Sequence, residues 1–209
     1  MKSYPHVSQG SEEWFELRRG IVTASEFTNI ITPTWKPRTG ETRNTYLHRK
    51  LTEKAIGLTA DEAHSVAIEH GQLLEPDARA WFEMQHDCDV QKVGFCTTDD
   101  GRIGCSPDGL IGEDGGIEIK CPQPHTHSKY LLAGEVPPQY LPQVHGSMLV
   151  TGRAYWYFLS YSRFFDPLLI RVERDEQIQQ TLATELDQFL KEFDHAWSQL
   201  AKRITPVTR

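Results

Sequence analysis

The chain has 209 residues, 38% hydrophobic and 24% charged, which is enough for one sizeable core and excludes a wholly disordered or fibrous protein. No apolar run approaches the roughly 20 residues that cross a bilayer, and Met1 to His6 do not open a signal peptide, so no membrane partner and a cytoplasmic location are expected. The net charge of −7 excludes a uniformly basic nucleic-acid coat, yet residues 1–54 carry nine Lys and Arg against six acids, so a basic lining is concentrated there.

In chain order, Ser11 is a good N-cap for a short helix with Glu12 and Glu13 in its first turn and Gly20 as its stop. Thr23-x-x-Glu26 reads as a capping box that opens a second helix with Phe27, Ile30 and Ile31 inward. A loop with Pro33 and Pro37 follows, then a third helix over 44–56 ended by Gly57. The pattern over 65–86 predicts another helix, kinked or restarted at Pro76. Within it Glu75 sits among apolar neighbours, so it needs a cation or a hydrogen-bond partner, and Arg79 one turn later is one candidate.

Strands are predicted over 90–97 and 102–106, leading into a hairpin whose turn is Gly112 to Gly116. Beyond it lie a short helix around 129–132 and a helix over 138–150 stopped by Gly152. Two strands follow, 154–161 and 168–172, the first apolar enough to be interior. A long amphipathic helix over 175–202 closes the chain, with Ile178, Leu182, Leu186, Phe189, Phe193 and Trp197 at helical spacing. The expected organisation is a single domain over 1–209: a helical part 11–86, a sheet core 90–173 and the C-terminal helix. The four cysteines form no Cys-x-x-Cys pair and read as free thiols in a reducing compartment rather than as a metal cluster.

The hairpin carries the chemistry. Ile117 and Ile119 point one way while Glu118 and Lys120 share the opposite face, and the turn can bring Asp108 beside Glu118. Two carboxylates on rigid strands suit a hard cation such as Mg²⁺, which lowers the pKa of a coordinated water and stabilises attacking and leaving oxygens of a phosphodiester. The Ile119 carbonyl is a further candidate ligand, and Lys120 can orient or deprotonate the water or offset transition-state charge. Pro-Asp-Gly is also a common turn and an alternating Glu/Lys strand a common solvated face, so spacing leaves both readings open.

Pro107-Asp108 followed by Glu118-Ile119-Lys120 resembles the PD-(D/E)xK motif of the restriction-endonuclease-like nucleases. Cys105-Ser-Pro-Asp-Gly-Leu, Glu118-Ile-Lys-Cys-Pro and Trp14-x-x-Leu17-Arg18-x-Gly20-x-x-Thr23-Ala24-Ser25-Glu26 are similar to the lambda-type exonucleases and the YqaJ-type phage recombination nucleases. The likeness runs over most of Trp14 to Asp175. It implies an α/β, restriction-endonuclease-like fold with a mixed central sheet and helices on both faces. It implies Mg²⁺, two ions with Mn²⁺ as a substitute, held by Asp108, Glu118 and the Ile119 carbonyl and supported by Glu75. Lys120 and Gln143, the latter in Tyr140-x-x-Gln143-Val144, would manage the water, and Ile68 would wedge the strands apart. Arg18, with Ser25 and Arg38, would hold a terminal 5′-phosphate.

The implied activity is a 5′→3′ exonuclease acting on ends of linear double-stranded DNA, releasing 5′-mononucleotides and leaving 3′ single strands. A ring-shaped homotrimer and a single-strand annealing protein as partner are also implied. The rival readings are an endonuclease of the same superfamily and a non-catalytic DNA-end binder.

Overall fold

The computed structural model describes residues 1–57 and 66–204, with the side chains of 66–72 outside that description. Helix α1 (Glu12–Arg18) begins where the Ser11 hydroxyl accepts the Trp14 N–H, and α2 (Glu41–Ile56) ends in a left-handed Gly57. Helix α3 (Val66–His86) contains Pro76 within one unbroken span, so the expected restart does not occur. Pro76 is exposed, and its ring needs no room in the core.

Among the described residues nine strands form two sheets, the larger of them the mixed central sheet expected and the smaller an addition to it. The larger sheet is ordered β3 (Val90–Gln91), β6 (Gly109–Ile111), β7 (Gly115–Lys120), β8 (Tyr155–Ser160) and β9 (Leu168–Glu173). Its β7–β8 pair is parallel and the others antiparallel, which makes it mixed. The smaller sheet is ordered β1 (Lys2–Tyr4), β4 (Phe95–Thr97), β5 (Ile103–Cys105) and β2 (Val22–Thr23). The crossover from β7 to the parallel β8 runs through α4 (Pro124–Ala133) and α5 (Leu141–Thr151), as a parallel pair requires. Helix α6 (Glu176–Leu200) is capped by the Asp175 carboxylate.

Each face of the larger sheet buries a different cluster. Ile117, Ile119 and Leu159 pack with Leu74, Ala78 and Phe82 of α3. Trp156 and Phe158 pack with Val144 and Met148 of α5 and with Leu182, Leu186 and Phe189 of α6. Period-2 alternation therefore sends Glu118 and Lys120 to the α5 side, beside their register partners Phe158 and Ser160.

Three local expectations change. The strand over 90–97 is split, Val90–Gln91 joining one sheet and Phe95–Thr97 the other, and at Gly94 between them any Cβ would collide with the Val7 carbonyl. Residues 24–29 form a 3₁₀ turn with no capping box, since the Glu26 carboxylate is drawn to Arg49 and Lys50 instead. The hairpin turn is shorter than expected, and Gly115 and Gly116 belong to β7. There the Tyr155 and Trp156 rings cover them and leave no volume for a side chain. The four thiols are free. Among the described residues no helix is long and apolar enough to cross a membrane.

Candidate active site

Residues 103–120 pass from one sheet to the other. Strand β5 ends in the smaller sheet, Ser106-Pro107-Asp108 bridges, and β6 and β7 belong to the larger one. The Gln9 side chain clamps the bridge by donating to the Pro107 and Val93 carbonyls at 2.9 and 3.3 Å. Register Gly109↔Ile117 then sets Asp108 against the Glu118–Ile119 segment, and Asp108 Oδ2 accepts the Ile119 N–H at 2.6 Å.

Glu118 is 1% exposed, and its Oε1 accepts from Lys120 Nζ and, at 2.6 Å, from Gln143 Nε2 of α5. Its Oε2 is buried with no partner. The structure thus brings together Asp108, Glu118, Ile119, Lys120 and Gln143. Burial, reinforced by Glu118, pushes the Asp108 carboxyl well above the usual range. Burial would lower the Lys120 pKa, but Glu118 and Asp108 outweigh it and hold the ammonium above its usual value. The ammonium also lies 5.3 Å from the Tyr140 ring centroid, a cation–π contact on its open side.

Glu75 is differently placed. Its side chain is 37% exposed rather than sealed among apolar neighbours, and Oε1 accepts from Arg79 Nη2 at 2.6 Å. Arg79 Nη1 in turn donates to the Asp108 carbonyl. Glu75 is therefore linked to the site through Arg79, the partner one helical turn away, and its charge adds to the raising of the Asp108 carboxyl.

Among the described residues no group of three or more His, Cys, Asp or Glu converges as a ready metal site. The donor set still fits a hard cation: two carboxylates face one ammonium, and the orphaned Glu118 Oε2 is a buried acceptor with nothing to accept.

Arg18 occupies a second pocket, at the edge of the smaller sheet. Its Nη1 donates to Ser106 Oγ at 3.0 Å and Nη2 to Thr23 Oγ1 at 3.4 Å. Its guanidinium lies 4.2 Å from the Trp14 ring centroid and 5.8 Å from that of Phe95. The Trp14 indole N–H shares Ser106 Oγ at 3.0 Å. Burial lowers the Arg18 pKa, with Glu26 acting in the opposite sense from further off. Ser25 is exposed beside this pocket, its hydroxyl 3.5 Å from Thr23 Oγ1.

Among the described residues Arg38 is not joined to these groups by a hydrogen bond; its Nε donates to the Thr28 carbonyl at 2.9 Å. Ile68 lies on α3, and its side chain is outside the described residues. Ser106 and Arg79 were missed as site residues, because nothing in a serine before a Pro-Asp turn or an arginine on a helix marks a link between sheets.

Comparison with known proteins follows the same geometry. The model of the YqaJ-like viral recombinase domain matches residues 13–154, which contain both pockets. An alkaline exonuclease from Laribacter hongkongensis superposes with TM-score 0.84 at 31% identity, covering 92% of this chain and 97% of that one. The structure of the same exonuclease in complex with dAMP gives TM-score 0.83 at 32% identity with the same coverage. A phage-related exonuclease from Haemophilus somnus 129PT, at 15% identity and TM-score 0.62 over 86% of this chain and 96% of that one, shares the fold. A comparison with curated proteins gave no match. The architecture is the restriction-endonuclease-like α/β fold. With more than half of its length matched by that domain, the chain belongs to the YqaJ-like viral recombinase family.

Proposed function

We propose that this protein is a Mg²⁺-dependent 5′→3′ exonuclease that degrades one strand of linear duplex DNA and leaves 3′ single strands for recombination. The observation that carries the reading is the buried, unpartnered Glu118 Oε2 next to Asp108, a site with one carboxylate more than its ammonium can neutralise. The Laribacter hongkongensis relative, matched at 31–32% identity over 97% of its length, is an alkaline exonuclease by name, and one of its structures holds dAMP.

In this reading Asp108, Glu118 and the Ile119 carbonyl would hold the cation, with two ions and Mn²⁺ as a substitute carried over from the family. When bound, it would supply Lewis-acid charge at the scissile phosphate and lower the pKa of a water. Lys120 orients that water and offsets charge on the phosphate oxygens, and Gln143 fixes the Glu118 carboxylate from the α5 side. Arg79 fixes the Asp108 main chain, and Glu75 holds Arg79.

Arg18 and Ser25 receive the terminal 5′-phosphate. Ser106, which Arg18 touches, is two residues from Asp108, and two residues span at most about 7 Å. The end being held and the bond being cut are therefore neighbours, which favours removal of single nucleotides from the 5′ end. A homotrimeric ring and a single-strand annealing partner complete the proposal and would be read by sedimentation and by co-purification.

The deciding test incubates end-labelled linear duplex and closed circular duplex with the protein, with and without Mg²⁺. Mononucleotide release from the 5′-terminated strand of the linear substrate alone, only with Mg²⁺, is the expected result. Cutting of the closed circle would favour an endonuclease, and binding without cleavage would favour an end binder.

A further inference from the structure

A cavity of about 220 Å³ lies away from the hairpin, between the turn after α1, the end of α2 and the C-terminal half of α6. Arg19, Lys54 and Arg102 line it over a floor that includes Gly20, Leu190 and Phe193. In a chain of net charge −7 three cations around one cavity are a local concentration, not a background.

Their pairing is incomplete. Arg19 Nη1 lies 3.5 Å from Glu16 and Arg102 Nη2 lies 2.6 Å from Asp194, and both carboxylates are more than half exposed, at the rim. Lys54 has no carboxylate partner among the described residues. Its ammonium is held by aromatic faces instead, 5.2 Å from the Phe193 centroid and 4.7 Å from that of Trp197. The neighbouring Glu53 does not neutralise it, because that carboxylate accepts from Lys50 and from the Gly20 N–H. Arg19 Nε is buried and has no partner. Three cations against two half-exposed carboxylates leave an excess positive charge around the cavity.

We propose that this cavity is a phosphate-binding site, separate from the Arg18 pocket and beyond the cleavage reading above. Planar guanidinium groups on two walls and an ammonium on the third match the spread oxygens of a phosphate, and the apolar floor keeps competing water low. Gly20 is part of the fit. It adopts φ +68°, and a Cβ there would lie 3.1 Å from the Lys54 Cβ, so a side chain would crowd the lysine from its place. A nucleic-acid backbone and free phosphate present the same oxygens, and two arms of one experiment separate them.

All measurements are made in EDTA, so that cleavage does not intervene, on the full chain and on Lys54→Gln, Arg19→Gln and the charge-conserving Lys54→Arg. In the first arm inorganic phosphate replaces chloride at constant ionic strength while thermal stability and tryptophan fluorescence are followed, Trp197 reporting on the lysine. The expected result is stabilisation of the wild type and of Lys54→Arg, and its loss in both Gln variants. In the second arm duplex with 5′-hydroxyl ends, which leaves the terminal-phosphate pocket unengaged, is bound across a salt series. Each Gln variant should lower the slope of log K against log salt by about 0.9, the signature of one lost phosphate contact.

A phosphate response that is lost in the variants while the slope stays unchanged would support the site and assign it to free phosphate. No response of the wild type beyond chloride, with equal slopes for all proteins, would overturn it. So would an altered sedimentation mass in the variants with response and slope intact, which would make the cavity a contact between copies. If the wild type bound no duplex under these conditions, the phosphate arm alone would decide this site, and the nuclease reading would be decided separately by the Mg²⁺ cleavage test.

Discussion

Two clusters of buried acids and bases use the same chemistry in opposite balance. At the α1–α2 junction, Lys50 spans Glu26 and Glu53 at 3.0 Å each, and Arg49 takes the other Glu26 oxygen. Two cations meet two carboxylates, and Glu53 also accepts the Gly20 N–H. At the hairpin, Asp108 and Glu118 share the single ammonium of Lys120, and one Glu118 oxygen has no partner. The carboxyl groups respond accordingly. Burial raises Glu26, but Lys50 and Arg49 overcome it and hold its pKa below the usual value, whereas burial and Glu118 together leave Asp108 raised. One cluster is balanced in charge and ties α2 to the turn after α1. The other is left short by one positive charge, and a fold tolerates that where an external cation completes the set.

The comparison is most exposed to Lys50→Met. Lys50 is 4% exposed, so its removal strands the buried Glu53 carboxylate and leaves Glu26 to Arg49 alone, and breaking a buried pair in this way costs about 3–5 kcal/mol. Urea unfolding in metal-free buffer should show that loss; a change below about 1 kcal/mol would mean the junction cluster is not held by charge balance. Glu118→Gln probes the other side. Removing one of two mutually repelling carboxylates should leave metal-free stability equal to the wild type or higher, while single-turnover cleavage falls by about 10³-fold, ~4 kcal/mol of barrier. Mg²⁺ at about 100 times its Kd should raise wild-type stability by about 2.7 kcal/mol and do little for Glu118→Gln. Equal Mg²⁺ responses in the two proteins would place the cation elsewhere.

Much of this was legible in the chain, for reasons that differ by residue. The hairpin could be read because alternation fixes the faces of Glu118 and Lys120, and Gly112 with Asp114 marks the turn. Helix limits at Ser11, Gly57 and Gly152 could be read from local capping chemistry. What escaped depends on contacts distant in sequence. The second sheet exists because residues 2–4 pair with 95–97, a union nothing local announces. Thr23-x-x-Glu26 has the letters of a capping box, but Arg49 and Lys50, more than 20 positions on, compete for the glutamate and win. Arg18 belongs with Ser106 only because the smaller sheet sets β2 beside β5.

Arg18 sharpens the contrast, being a third arrangement: a largely buried cation with hydroxyl and ring partners and no paired carboxylate among the described residues. That is the complement of the hairpin, a positive charge in want of an anion. On 5′-phosphorylated duplex, Arg18→Ala should slow degradation about 10- to 100-fold, since a charge-assisted contact is worth about 1.5–3 kcal/mol. On 5′-hydroxyl duplex wild type and variant should be similarly slow. Equal wild-type rates on the two ends would remove the terminal phosphate from this pocket.

The smallest effect should come from Gln143→Ala, and it tests how the hairpin keeps its imbalance in place. Gln143 is the neutral donor of the cluster, 2.6 Å from the same Glu118 oxygen that Lys120 holds, so it positions the carboxylate without changing the count of charges. Its loss leaves Lys120 as the remaining holder of Glu118 Oε1, and Oε2 no worse than before. Single-turnover cleavage should therefore fall about tenfold, ~1.4 kcal/mol, in line with one hydrogen bond to a charged group. The Mg²⁺-induced stabilisation should survive nearly whole, because both carboxylates remain. If Gln143→Ala lost that stabilisation as fully as Glu118→Gln, the orientation of Glu118, rather than the excess of negative charge, would be what admits the cation.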